Sequence, residues 1–154
     1  MGNIKNLIIF SLIFGAICGL LGLIPIIGVI ILLIIIFCSS FIILVFLKKT
    51  GNLICPNEQT GLLYGGISGF LAYLGYVCTF LPCAYILSLI FKQSYFTGIG
   101  MILKSGFMLT VMLILFVGIL CGMMNAFSGL ASIYVFNSED KNKKFTLDIN
   151  KENK

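Results

Sequence analysis

The side chains that could do chemistry in this chain are few, and each stands alone in apolar sequence. Asn125 opens NAFSGLASIYVF, Ser68 sits in GLLYGGISGF, and Ser39 and Ser40 lie in FCSSF. With Tyr76 they supply one amide and four hydroxyls, which are hydrogen-bonding groups with no ionised partner nearby. Residues 6–47, 59–91 and 105–138 contain no Asp, Glu, Lys or Arg, and the chain has no His. General acid–base catalysis and proton-coupled transport both need an ionisable group at the site. The sequence therefore argues against an enzyme and names no catalytic residue and no cofactor. Asn125 and Ser68 are the candidates for an intramembrane polar site. That site is either a bond between helices or part of a permeation path.

The thiols give a similar answer. Cys18, Cys38, Cys55, Cys78, Cys83 and Cys121 contain no Cys-x-x-Cys pair. Without His a zinc site has no support, so no metal is expected. Cys18, Cys38 and Cys121 read as small apolar fillers. Cys78 and Cys83 could support thiol redox chemistry at the outer face. Five-residue spacing on a regular helix holds them too far apart to bridge.

Elements to position these groups follow from the charge map. The 154 residues are 60% apolar and only 10% charged, against about a quarter in soluble domains. The uncharged run 6–47 is long enough for two membrane crossings with a turn at Pro25 and Gly28, since about 20 apolar residues span a bilayer core. The other two runs hold one crossing each. The expected fold is an all-α membrane protein, a four-transmembrane-helix bundle over residues 1–136. Its spans fall at about 7–24, 26–47, 60–81 and 109–136. The apolar run after Lys5 continues without a small-x-small cleavage site, so it reads as an uncleaved span. Pro82 kinks or ends the third span. Residues 83–108, broken by Lys92 and bearing Tyr85, Tyr95 and Phe96, read as an outer-face interfacial segment. Residues 137–154, rich in Lys and acids, read as a disordered cytoplasmic tail.

Orientation follows from the lysines. The spans place Lys5, Lys48, Lys49, Lys141, Lys143, Lys144, Lys151 and Lys154 on one side, and Lys92 and Lys104 on the other. The positive-inside bias puts both termini in the cytoplasm. The basic balance thus reports topology and gives no support to nucleic-acid binding.

Glycine carries the packing signal. At about 100° per residue, Gly61, Gly65, Ser68, Gly69, Ala72, Gly75, Tyr76 and Thr79 share one stripe of the third span, opposite Leu63, Ile67, Phe70, Leu74, Val77 and Leu81. Ser11, Gly15, Cys18, Gly19 and Gly22 do the same in the first span, opposite Ile9, Ile13, Ile17, Leu20 and Ile24. In the last, Gly118, Gly122, Asn125, Ala126, Gly129 and Ser132 oppose Leu113, Phe116, Leu120, Phe127 and Tyr134. Inserted helices associate through close contact and hydrogen bonds, which small residues permit. The stripes predict glycine-zipper packing where spans one, three and four meet, with the bulky faces toward lipid. The second span has only the patch Cys38, Ser39, Ser40. A shift of 57 residues lays Ser11 on Ser68, Gly15 on Ala72 and Pro25 on Pro82, a pattern compatible with an internal repeat.

Four stretches in order carry a resemblance: GAICGLLGLIPIIG, LVFLKKTGN, NEQTGLLYGGISG and NAFSGLASIYVF. The chain resembles a broad group of small four-helix prokaryotic integral membrane proteins of uncharacterised function. The likeness covers spans one to three and the end of span four, with no counterpart for 83–108. It implies a fold and a membrane location and transfers no catalytic residue. Many Ile, Lys and Asn with no Arg or Trp suggest an AT-rich bacterial genome. The expected role is a non-enzymatic component of the bacterial cytoplasmic membrane. Its partners are the lipid bilayer and either further copies of itself or other membrane helices. A holin-like pore or small channel is the first alternative, and outer-face thiol redox chemistry the second.

Overall fold

A computed structural model describes residues 2–51, 58–90 and 106–152, and within them the chain is all helix apart from its turns. Helix α1 is Gly2–Leu21, α2 is Pro25–Lys49, α3 is Glu58–Ile90 and α4 is Phe107–Glu152. All four are long and apolar enough to cross a membrane, over Ile4–Leu21, Pro25–Lys49, Gln59–Ile90 and Met108–Phe136.

The α1–α2 connection is only Gly22, Leu23 and Ile24. The Gly22 amide still donates to the Cys18 carbonyl at 2.8 Å, and Leu23 and Ile24 then tighten to shorter-range bonds with Leu20 and Leu21. Such a closing turn leaves few carbonyls orphaned inside the membrane. Pro25 starts α2, where its missing N–H deprives the helix of nothing. At the other end of α2, Lys48 and Lys49 occupy the last turn and Thr50 caps Phe46. Gly51 there takes φ +71°, the left-handed conformation that closes a helix.

Two boundaries depart from expectation. Pro82 lies inside α3, which continues to Ile90. The proline frees one carbonyl, but the following apolar residues have no better way to pair their backbone than more helix. The outer-face segment expected over 83–108 is therefore helical over 83–90 and again from Phe107, while 91–105, with Lys92, Tyr95, Phe96 and Lys104, lies outside the described residues. Helical backbone also runs on from Phe136 to Glu152, where composition predicts disorder. No Gly or Pro occurs there to stop it.

Helix α3 is the shared neighbour. It packs extensively against α1 on one side and α4 on the other, α2 lies along α4 and α3, and α1 closes weakly on α2. Helices α1 and α4 sit across the bundle from each other, so the three small-residue faces do not meet at one point. They form two separate seams, both on α3. Gly15 of α1 lies against Ala72 and Tyr76, and Gly19, one turn on, against Tyr76 and Phe80, so α1 and α3 run the same way. Gly15 and Ala72, which the 57-residue shift superimposes, are thus neighbours in space.

The bulky residues sort by helix. Ile9, Ile13, Ile17 and Leu20 of α1, and Leu113, Phe116, Leu120 and Phe127 of α4, are exposed. On α3, Leu63 and Ile67 are exposed, but Phe70, Leu74, Val77 and Leu81 are half-buried. A helix with three neighbours keeps only a partial outward face, which includes Leu62, Leu63 and Ile67.

Candidate functional site

Of the stripe residues, Ser11, Gly15, Gly19, Gly22, Gly61, Gly65, Gly69, Gly75, Gly118, Gly122 and Gly129 are buried, while Thr79 and Ala126 are half-buried. What they touch is mostly backbone. A Cβ built on Gly65 would stand 2.6 Å from the Asn125 carbonyl oxygen and 2.8 Å from Gly129 Cα. A Cβ on Gly129 would stand 2.5 Å from the Gly61 carbonyl oxygen and 2.6 Å from Gly65 Cα. Real side chains never come so close, so α3 and α4 touch here at a distance only glycine allows. At the α1–α3 seam a Cβ on Gly19 would fall 2.7 Å from the Tyr76 carbonyl oxygen. Gly61 lies under Ile133, Gly69 under the Asn125 side chain, and Gly118 under Phe70.

Asn125 and Ser68 are both fully buried, and the structure brings them into one polar cluster. They do not bond each other. Ser40 of α2 joins them. The Ser68 hydroxyl donates to Ser40 Oγ at 2.8 Å, and Ser40 donates onward to the Gly65 carbonyl at 2.6 Å. The Asn125 carboxamide spans to α2. Its Oδ1 accepts from the Ser39 hydroxyl and the Ser40 amide, both at 3.0 Å. Its Nδ2 shares its two hydrogens among the carbonyls of Ile35 at 2.8 Å, Ile36 at 2.9 Å and, in its own helix, Cys121 at 3.0 Å. Ser128, one turn along α4, accepts from the Phe41 amide at 3.2 Å.

Among the described residues no buried side-chain polar atom lacks a partner. Every side-chain polar atom of the cluster thus has at least one partner within the chain. Ser39 and Ser40 are as central as Asn125, and Ser128 and the Ile35 and Ile36 carbonyls complete the set. A run Cys-Ser-Ser amid Ile and Phe was the available signal for the serines. Nothing in sequence pointed to the carbonyls. Tyr76 lies apart from this cluster. It sits at the other seam, stacked on Phe80 with ring centroids 5.2 Å apart, and its hydroxyl lies over Gly22.

The thiols are dispersed. Cys18 and Cys121 are buried, as fillers would be, whereas Cys38 is exposed because it points away from the side of α2 that carries Ser39 and Ser40. Cys78 and Cys83 are free, five residues apart on unbroken α3, and Cys55 lies outside the described residues. No group of three or more His, Cys, Asp or Glu among the described residues could hold a metal.

Two recesses border α2. One of about 350 Å³ lies between the Pro25 half of α2 and helices α3 and α4, lined by Gly28, Val29, Leu32, Tyr73, Phe80 and Ile114 among others. Another, about 280 Å³, lies between α1 and α2 among Phe10, Phe14, Ile42 and Phe46. Both are almost wholly apolar. No protein-family model, curated protein or solved structure matches the chain.

Proposed function

We propose that this is a non-enzymatic, multi-pass component of a bacterial cytoplasmic membrane, with both termini cytoplasmic and a bundle held by glycine-zipper seams. Its work is done by helix surfaces rather than by a reaction. The observation that carries this reading is the closed state of the polar cluster. Asn125, Ser39, Ser40 and Ser68 are each 0% exposed, and each hydroxyl and amide is bonded within the chain. A wettable path would leave such groups facing a cavity. Here the recesses are lined by aliphatic and aromatic side chains instead.

The small stripes face inward within a single copy. Further copies or partner helices would therefore meet the exposed apolar exterior, such as Ile13, Ile30, Phe116 and Phe127. Vesicles loaded with a small fluorescent dye and carrying the purified protein test the reading. Retention of the dye is expected, and leakage proportional to protein content would favour the pore. Protease treatment of sealed spheroplasts tests orientation: a tag on the C-terminus should survive until the membrane is opened.

A further inference from the structure

We propose that the crevice of about 350 Å³ between α2, α3 and α4 binds a neutral lipid whose carbonyl reaches the middle of the bilayer, a prenyl quinone by chemical class, and that the Tyr73 hydroxyl donates to that carbonyl.

The hydroxyls of the crevice wall single out the site. Tyr73, Tyr76 and Thr110 all line it. Thr110 donates to the Gly106 carbonyl at 3.1 Å, and Tyr76 lays its hydroxyl over Gly22. Tyr73 is only 5% exposed, yet its hydroxyl makes no hydrogen bond among the described residues. A buried tyrosine ordinarily finds a partner, and within a bilayer core no water is at hand to supply one. No fully enclosed polar side-chain atom is left unpaired among the described residues, so the Tyr73 oxygen borders open space. The space that Tyr73 lines is the crevice.

Depth decides what can answer this donor. Tyr73 stands close to the middle of the membrane span Gln59–Ile90 and lies against Gly118, well inside the span Met108–Phe136. Val29 of α2 and Leu113 of α4, on the two sides of the crevice, are 54% and 46% exposed. The crevice therefore opens sideways, toward acyl chains rather than water. A phospholipid brings only methylene and methyl groups to that depth, because its ester carbonyls are held with the headgroup in the interfacial region outside the hydrocarbon core. A prenyl quinone has no charged headgroup to hold it at the interface, and its ring carries acceptors with it. The rest of the wall suits a flat apolar ring. Leu32, Phe80 and Ile114 are apolar, and the volume falls in the range of about 300–1,000 Å³ usual for small-molecule sites with few polar groups. Binding here calls for no electron transfer. The site needs the membrane-spanning bundle but not the role proposed above for its outer surface, so either can fail without the other.

The test uses the full chain in nanodiscs of saturated phosphatidylcholine, titrated with a naphthoquinone that carries a short prenyl tail and an isotope-labelled carbonyl. Quinone retained above that in empty discs measures binding, and the infrared stretch of the label reports the hydrogen bond. Saturation at about one quinone per chain is expected, with the carbonyl stretch lowered relative to empty discs. Tyr73→Phe keeps the ring and loses only the hydroxyl. It should weaken binding by about 3- to 10-fold, the worth of one hydrogen bond, and abolish the lowered stretch. No saturable excess over empty discs would overturn the proposal, and so would a stretch that Tyr73→Phe leaves unmoved. Equal displacement of the quinone by its prenyl hydrocarbon alone would also overturn it, because the crevice would then take any chain and have no place for a carbonyl.

Discussion

Helices α1 and α4 reach α3 in one way, and α2 reaches α4 in another. The α3 seams are backbone on backbone: Gly65 on Gly129, Gly15 on Ala72, Gly75 on Leu12. The α2 attachment is made by side chains, with Asn125 and Ser128 reaching across to the amides of Ser40 and Phe41. Both solve the same problem. Once inserted, helices gain nothing from hiding aliphatic surface, so they must find either close contact or hydrogen bonds. Contact tolerates no added atom, whereas a hydrogen-bonded clamp tolerates loss of individual members at a graded cost. The two kinds of interface should therefore fail differently.

The largest effect is expected at the α3–α4 seam. Gly65→Leu places a side chain where Gly129 Cα and the Asn125 carbonyl already stand, and backbone cannot move aside as a flexible side chain can. The cost should reach or exceed the upper end of the ~1–3 kcal/mol typical of overpacking. Reversible unfolding in mixed detergent micelles measures it. A near-native Gly65→Leu would break the distinction between the two interfaces. Next comes Asn125→Ala, which removes the centre of the clamp and leaves the Ser39 hydroxyl and Ser40 amide to find other partners. About 1–3 kcal/mol is expected for stranded buried groups. The loss should appear first as separation of α2, read by proteolysis in the α1–α2 turn, while the α1–α3–α4 core persists.

Ser40→Ala sharpens the comparison from inside the clamp. It removes the link from Ser68 and the bond to the Gly65 carbonyl but leaves the Ser40 amide bonded to Asn125. Interhelical hydrogen bonds in membranes average about 0.6 kcal/mol with a maximum near 1.7. The same unfolding assay should place the loss within that range and below that of Asn125→Ala. A loss equal to Asn125→Ala would mean that the serine bridge to α3, rather than the carboxamide, holds α2.

The difference between the interfaces also decided what could be read in advance. Contact seams are written in residue size. Gly15 and Gly19, Gly61 and Gly65, and Gly118 and Gly122 recur four residues apart, and their burial and the exposure of Ile9, Ile13 and Phe116 follow from the helical period. The arrangement of seams was not legible, because size says which face is inward but not which helix it meets. That is why α1 and α4 come out on separate sides of α3. The clamp was half legible. Asn125 and Ser68 stand out as polar groups in apolar surroundings, but their joining through Ser40 depends on the relative register of α2, α3 and α4. The carbonyls of Ile35 and Ile36 carry no signal at all, since every residue has one. Whether Pro82 would kink or end the helix was not legible for a related reason: its effect depends on what pairs with the freed carbonyl, and that is a property of the bundle.

The smallest predicted effect is the most discriminating. Gly66 is adjacent to Gly65 and also lies near α4, yet a Cβ there would meet the Gly122 carbonyl at 3.5 Å and Ala126 Cβ at 3.7 Å, ordinary contact distances. Within one copy nothing requires glycine at this position. Gly66→Ala should therefore change stability by less than about 0.5 kcal/mol, with helix propensity favouring the alanine. Gly65→Ala, one residue away, should be clearly destabilising, because its methyl meets backbone at 2.6 Å. The same micelle unfolding assay, run on both, compares two glycines identical in chemistry and helix position and different only in what faces them. Equal losses would mean that helix α3 responds to any added methyl and that close backbone contact is not the cause. A loss confined to Gly66→Ala would place the critical contact on the exterior face, between copies, rather than on the seam with α4.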